Sequence, residues 1–144
     1  MPYTRATIQE ILRLATPVPM SASSSVKTDK FDDYTIPKDS LVTIGIYSIH
    51  RDDEVWEQPE EFRPETFLEN GSVGINVEKI MPFGFGKRSC PGKSTARLTL
   101  FIFLPSLLQK FKFSATTVHG APSLANLQGV SRTVAKFWAS VELK

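Results

Sequence analysis

The residues best equipped for chemistry lie in one short stretch, Phe83-Gly84-Phe85-Gly86-Lys87-Arg88-Ser89-Cys90-Pro91-Gly92, which holds the single cysteine of the chain. A thiolate is both a nucleophile and a ligand for iron. The stretch sets this sulfur just ahead of a predicted helix start. The positive end of a helix dipole stabilises an anionic sulfur, and so does a cation such as Arg88. Gly84, Gly86 and Gly92 let the backbone approach a flat cofactor closely and adopt positive φ where a turn requires it. Backbone N–H groups of such a loop can point at the sulfur and tune its electron donation. Arg88 supplies a planar, permanently charged fork that fits a carboxylate, and Phe83 and Phe85 supply apolar surface that keeps water away. In composition alone, a glycine-rich turn around an inert cysteine would look the same, since a lone thiol usually behaves as a small hydrophobe.

Several elements must position this loop. Residues 4 to 15 show apolar residues at Ile8, Ile11, Leu12 and Ala15, the spacing of an amphipathic helix that Pro17 stops. Glu10 and Arg13, three apart, share one face of it, as an ion pair requires. Residues 16 to 40 are rich in Ser, Thr, Asp and Pro, with short β-prone pieces around Val26 and Tyr34 to Ile36. The turn Pro37-Lys38-Asp39-Ser40 introduces a predicted buried strand over Leu41 to Tyr47. His50 to Asn70 is charged and irregular. A helix is expected from about Lys93 to Lys110, apolar nearly all round between Leu98 and Leu108, so that it expects burial on several sides. Pro105 should kink it. Near the C-terminus Phe137, Ala139, Val141 and Leu143 alternate with polar neighbours, the period of a strand. The expected class is α+β with much loop.

The bulk numbers narrow the function. Seventeen basic and 15 acidic residues leave a net charge of +2, which points away from nucleic acid as a partner. One cysteine excludes an internal disulfide framework and fits a reducing compartment. The segment beginning at Met1 has no signal-peptide pattern, and the most apolar run, Leu98 to Leu108, is too short to span a bilayer. No targeting or anchor segment is expected in these 144 residues.

The spacing Phe-x-x-Gly-x-Arg-x-Cys-x-Gly, met at Phe83, Gly86, Arg88, Cys90 and Gly92, resembles the haem-binding signature of the cytochrome P450 family. Glu10-x-x-Arg13, upstream on a helix, resembles the other recognised motif of that family, where the pair is a buried structural element beneath the haem. The stretch Met1 to Arg13 resembles the family's helix K. Tyr34-Thr35-Ile36-Pro37-Lys38 with its following strand resembles a sheet segment, and His50 with Trp56, Pro59, Phe62, Pro64 and Phe67 resembles the loop that leads to the cysteine.

The resemblance implies a C-terminal part, residues 1–144, of a mainly helical fold: the Glu-x-x-Arg helix, a small β region, the cysteine-ligand loop, the following helix and a C-terminal β-hairpin. It implies haem b held by Phe83, Gly84, Gly86, Arg88, Cys90 and Gly92, with Cys90 the iron ligand and Glu10 and Arg13 structural. Such a thiolate pushes electron density onto iron and favours O–O cleavage. The implied activity inserts one oxygen atom of dioxygen into a small apolar substrate, with electrons from NADPH through a partner reductase. The implied setting is the cytosolic face of the endoplasmic reticulum membrane, reached through an anchor absent from this chain. His50 becomes structural, and His119 is expected in a polar, exposed loop. Residues 16 to 23 and 127 to 132 resemble segments that edge the substrate pocket.

The chain departs from the family at Thr66, where relatives often carry an arginine or histidine packed on the Glu-x-x-Arg pair. It departs also at Ser23 to Ser25, near which many place a propionate-binding arginine, and at Thr99, in place of an acidic residue. The acid–alcohol pair that activates dioxygen is absent, so no catalytic residue beyond the haem ligand is expected and the isolated chain is expected to be inactive. Rival readings are a haem-sensing module using the Cys90-Pro91 dipeptide, a small non-enzymatic α+β interaction domain with an inert cysteine, and a non-catalytic truncated product.

Overall fold

A computed structural model describes residues 1–118, 120–121, 126–127 and 131–144. The first helix, α1 (Pro2–Ala15), begins with proline, whose missing N–H costs nothing in a first turn. It buries Ala6, Ile8, Glu10, Leu12 and Arg13. The predicted apolar face therefore holds at Ile8 and Leu12, while Ala15 is exposed and a charged pair shares the buried side. The helix ends at Thr16, which adopts the left-handed conformation at φ 36° and donates its N–H to the Leu12 carbonyl.

The described residues that follow form five two-stranded antiparallel pairs. Strand β1 (Met20–Ser24) pairs with β4 (Leu41–Gly45), Met20 opposite Gly45. Between them, β2 (Asp29–Phe31) and β3 (Tyr34–Ile36) make a tight hairpin in which Asp32 takes positive φ. The strand predicted over 41 to 47 is shorter and mostly exposed. Among the described residues it has one hydrogen-bonded neighbour strand, and only Ile44 is half-buried. Ile46 and Tyr47 turn instead into a short helix, α2 (Ile46–Ile49), with Ile46 buried.

From His50 to Asn70 the chain is irregular, as its composition suggests, but it is folded firmly around α1. A 3-10 turn spans Pro64–Phe67, and β5 (Leu68–Glu69) pairs with β6 (Ser72–Val73). Here lies the core: Ala6, Trp56, Phe67 and Ile80, with Leu68, Val73 and Val77 packed against it. The Trp56 and Phe67 rings meet at 5.7 Å and 50°. Fully burying such rings contributes on the order of 2–3 kcal/mol each.

The helix α3 (Lys93–Lys110) has the predicted limits and continues through Pro105. None of its residues is buried, and Leu98, Ile102 and Phe103 are all more than half exposed. Arg5 of α1 lies over Phe101 of α3, 5.5 Å from the ring centre. Beyond it, β7 (Phe111–Ala115) pairs with β10 (Ala139–Leu143), while β8 (Asn126–Leu127) pairs with β9 (Thr133–Val134). The C-terminal hairpin is therefore present, shorter than the alternation over 137 to 143 implies. Arg132 ties this region to the end of α1. Its main-chain N–H reaches the Pro17 carbonyl at 2.8 Å, and its guanidinium the Ala15 carbonyl at 3.2 Å. His119 lies outside the described residues, as does part of the turn over 127 to 132.

The accessible surface is 10619 Å² for a mass of 16.1 kDa. A compact globular chain of that mass exposes about 7400 Å². Exposed apolar residues of α3 and of the strand pairs, Leu98, Ile102, Phe103 and Leu41 among them, contribute to the excess.

Candidate functional site

Two constructions matter, a buried polar clamp under α1 and the cysteine loop it supports. Glu10 and Arg13 are buried, and their ion pair is bidentate: Nε donates to Oε2 at 2.7 Å and Nη2 to Oε1 at 2.8 Å. Nη1 donates to the carbonyls of His50 and Pro59, both at 2.7 Å, and Nη2 also to Glu61 at 3.1 Å. All five guanidinium N–H groups are thus used. The guanidinium also lies over the Trp56 ring, 5.1 Å from its centre. Glu10 Oε1 accepts a further bond from the main-chain N–H of Arg63 at 2.8 Å. Backbone, not a side chain from position 66, completes the shell of Glu10, and position 66 is Thr66. The Arg63 side chain points away, to Glu57 and Gln58.

His50, fully buried, joins the clamp to the loop. Its Nε2 accepts the main-chain N–H of Met81 at 3.0 Å. An N–H can only donate, so Nε2 carries the lone pair and Nδ1 the proton. Thr16 Oγ1 gives its own proton to the Arg13 carbonyl at 2.5 Å and lies 3.0 Å from Nδ1, so it accepts there. Burial pushes the imidazole down to about 4, and the neighbouring Arg13 and Arg51 cations act in the same direction. The ring is neutral and fully bonded.

The loop beyond Met81 is closed by its own backbone. Gly84 N–H donates to the Met81 carbonyl at 3.0 Å, Ser89 N–H to Gly86 at 3.2 Å, and Cys90 N–H to Phe83 at 2.8 Å. Gly84 and Gly86 take φ of 70° and 64°, conformations that penalise a Cβ. Gly92 has an ordinary φ of −82°, and a Cβ there would stand 3.8 Å from the Cys90 sulfur, in normal contact. The backbone explains two of the three predicted glycines. Cys90 is exposed at the end of the closed loop, two residues before α3, whose N-cap Gly92 provides no side-chain cap. Arg88 is exposed and makes no ion pair among the described residues. Phe85 is about half exposed, while Phe83 is half-buried under the Arg97 guanidinium at 5.8 Å. An open depression of about 430 Å³ adjoins the loop, with Met81, Gly84, Phe85, Lys93 and Arg97 on its walls.

The six predicted loop residues are therefore held in one closed stretch, and Glu10 and Arg13 lie in the clamp that braces it. Sequence reasoning missed His50 and Thr16 as the connection between the two. The available signal was Thr16 itself, a β-branched residue where a helix end favours glycine. Among the described residues, no cluster of three or more His, Cys, Asp or Glu could hold a bare metal ion.

Comparison with known proteins agrees with this architecture. The family model described as Cytochrome P450 matches residues 1–137. Human Cytochrome P450 2U1 is 39% identical over 132 residues, covering 91% of this chain and 24% of that protein. Mouse Cytochrome P450 2J5 is 43% identical over 114 residues, covering 78% and 23%. A solved zebrafish cytochrome P450 structure with abiraterone superposes with a TM-score of 0.89 at 31% identity, covering 99% of this chain and 34% of that one. The chain belongs to the cytochrome P450 family. It spans about a quarter of the length of the curated relatives it matches, and carries the C-terminal part of their fold.

Proposed function

We propose that Cys90 is the thiolate ligand of a haem b iron in a haem-thiolate monooxygenase. The observation that carries this is the exposed Cys90 sulfur at the end of a backbone-closed glycine loop, braced from below by α1, with no other metal-binding cluster among the described residues. Haem, when bound, supplies the iron centre that activates dioxygen. The chain's own residues hold and shield it. Gly84 and Gly86 shape the loop, Phe83 and Phe85 offer apolar surface beside the sulfur, and the exposed Arg88 offers a fork for a propionate carboxylate. Gly92 completes the sequence pattern at the start of α3. Glu10 and Arg13 keep the floor of the loop fixed.

For the complete protein, the reaction proposed is insertion of one oxygen atom into a small apolar organic substrate, with electrons passed from NADPH by a partner reductase. The family setting proposed is the cytosolic face of the endoplasmic reticulum membrane; among the described residues, no helix is long and apolar enough to cross a bilayer. The oxygen-activating pair is not in these 144 residues, and the bare surface of α3 supports the further proposal that the isolated chain does not turn over substrate.

The test is a carbon-monoxide difference spectrum of the reduced chain after haem reconstitution, beside Cys90→Ser. A strongly red-shifted Soret band that disappears in Cys90→Ser is the expected result. A band at the ordinary imidazole position in both would sink thiolate ligation. A thiolate-type spectrum of the ferric haem that is lost on reduction would instead favour a Cys-Pro haem-sensing module.

A further inference from the structure

We propose that His50 is the positioning residue of the cysteine loop: its neutral ring ties Met81 to the end of α1, and a second ring proton opens that tie. The relevance to haem ligation rests on the function proposed above; the tie itself does not. A continuous path connects the ring to the sulfur. His50 Nε2 holds the Met81 N–H, the Met81 carbonyl holds Gly84, and the Phe83 carbonyl holds the Cys90 N–H. On its other side the ring holds Thr16, which closes α1 directly after Arg13. One imidazole therefore sets the spacing between the clamp and the first residues of the loop.

The tie depends on charge state. Protonation at Nε2 replaces a lone pair with an N–H aimed at the Met81 N–H, so two donors face each other and the bond is lost. Among the described residues, the ring's bonds run to Thr16 and Met81 and none to a carboxylate. The charged groups bearing on the ring are Arg13 of α1 and Arg51 of the turn after α2, both cationic, and Glu10 is committed to Arg13 and the Arg63 N–H. The third packed segment, Ile80-Met81-Pro82, has no titratable side chain. The depressed titration of the ring agrees with this geometry.

Amide hydrogen exchange of the full chain without haem tests the tie, comparing wild type with His50→Gln and His50→Phe. Glutamine can present an oxygen to Met81 N–H but cannot be protonated. In wild type, Met81 protection is expected to fall about tenfold or more between about pH 7 and about pH 4.5. Trp56 N–H, bonded to the Asp52 carbonyl at 2.8 Å, tracks the global loss of stability, and the fall at Met81 is read in excess of it. His50→Gln should hold its Met81 protection flat across that range, and His50→Phe should lose it at both ends. Equal acid sensitivity in wild type and His50→Gln, or full Met81 protection in a folded His50→Phe, would overturn the proposal. Because no haem is present, a latched Met81 with no red-shifted band would sink only the haem reading. A red-shifted band lost in Cys90→Ser, with pH-independent Met81 protection, would sink only the latch.

Discussion

Arg13 and His50 are the two side chains on which the buried polar structure depends. Arg13 places five donors on one carboxylate and three carbonyls from a separate segment. An ammonium has three donors and no planar fork, so Arg13→Lys is not conservative here. Removing the guanidinium strands Glu10 in a dry site. Arg13→Ala is expected to cost about 3–5 kcal/mol in chemical denaturation, and Arg13→Lys to recover only part of it. His50 adds a pH dependence whose sign follows from its depressed titration. The unfolded imidazole takes a proton near 6.5 and the folded one near 4. The unfolded chain therefore binds more protons between those values, and stability present above 6.5 is lost as pH falls through the folded value. The loss approaches about 3 kcal/mol. Denaturation midpoints should fall across that window in wild type and much less in His50→Gln.

At the level of elements, both long helices, the β piece at Tyr34 to Ile36 and the cysteine loop were legible from local pattern. Their signals are local too: period, caps, prolines and glycine spacing. The β-prone piece expected around Val26, by contrast, is a bend, and its strand lies at Asp29–Phe31. The exposure of Leu41 to Gly45 was not legible, because an apolar strand looks the same whether or not anything covers it. Nor was the firmness of His50 to Asn70, where the ordering bonds run from Arg13 to main-chain carbonyls that carry no sequence signal. Glu10 and Arg13 could be read as a pair; the partners that make the pair affordable in the interior could not. The C-cap Thr16 shows how a helix end doubles as a joint. Its hydroxyl bonds both the Arg13 carbonyl and the His50 ring. Thr16→Val leaves both without a partner and should cost about 1–3 kcal/mol, whereas Thr16→Ser should cost less than about 1 kcal/mol. Urea titration of the two variants side by side separates the hydroxyl from the methyl.

For the whole molecule, the surface roughly 3000 Å² in excess of a compact chain of this mass is the governing fact. Its apolar part includes Leu98, Ile102, Phe103 and Leu107 of α3, with Phe113 and Val141 on the hairpin that follows. Contiguous apolar surface on this scale drives association. The isolated chain is expected to elute from size exclusion ahead of a monomer and to bind a hydrophobic dye. A monomeric, folded and soluble chain without haem would contradict this.

The Arg13 clamp also bears on how fast the chain assembles. Its carbonyl partners lie 37, 46 and 48 residues away along the sequence. Each closes a long loop, and that entropy must be spent before the bonds return anything. Ala6 meets Trp56 across a loop of similar length, so loop closure alone does not order the clamp against the Trp56 cluster. Interactions absent from a transition state govern the escape rate from the native state more than the approach to it. A clamp that closes after the folding barrier is expected to make Arg13→Ala speed unfolding more than it slows folding, which stopped-flow urea kinetics would read.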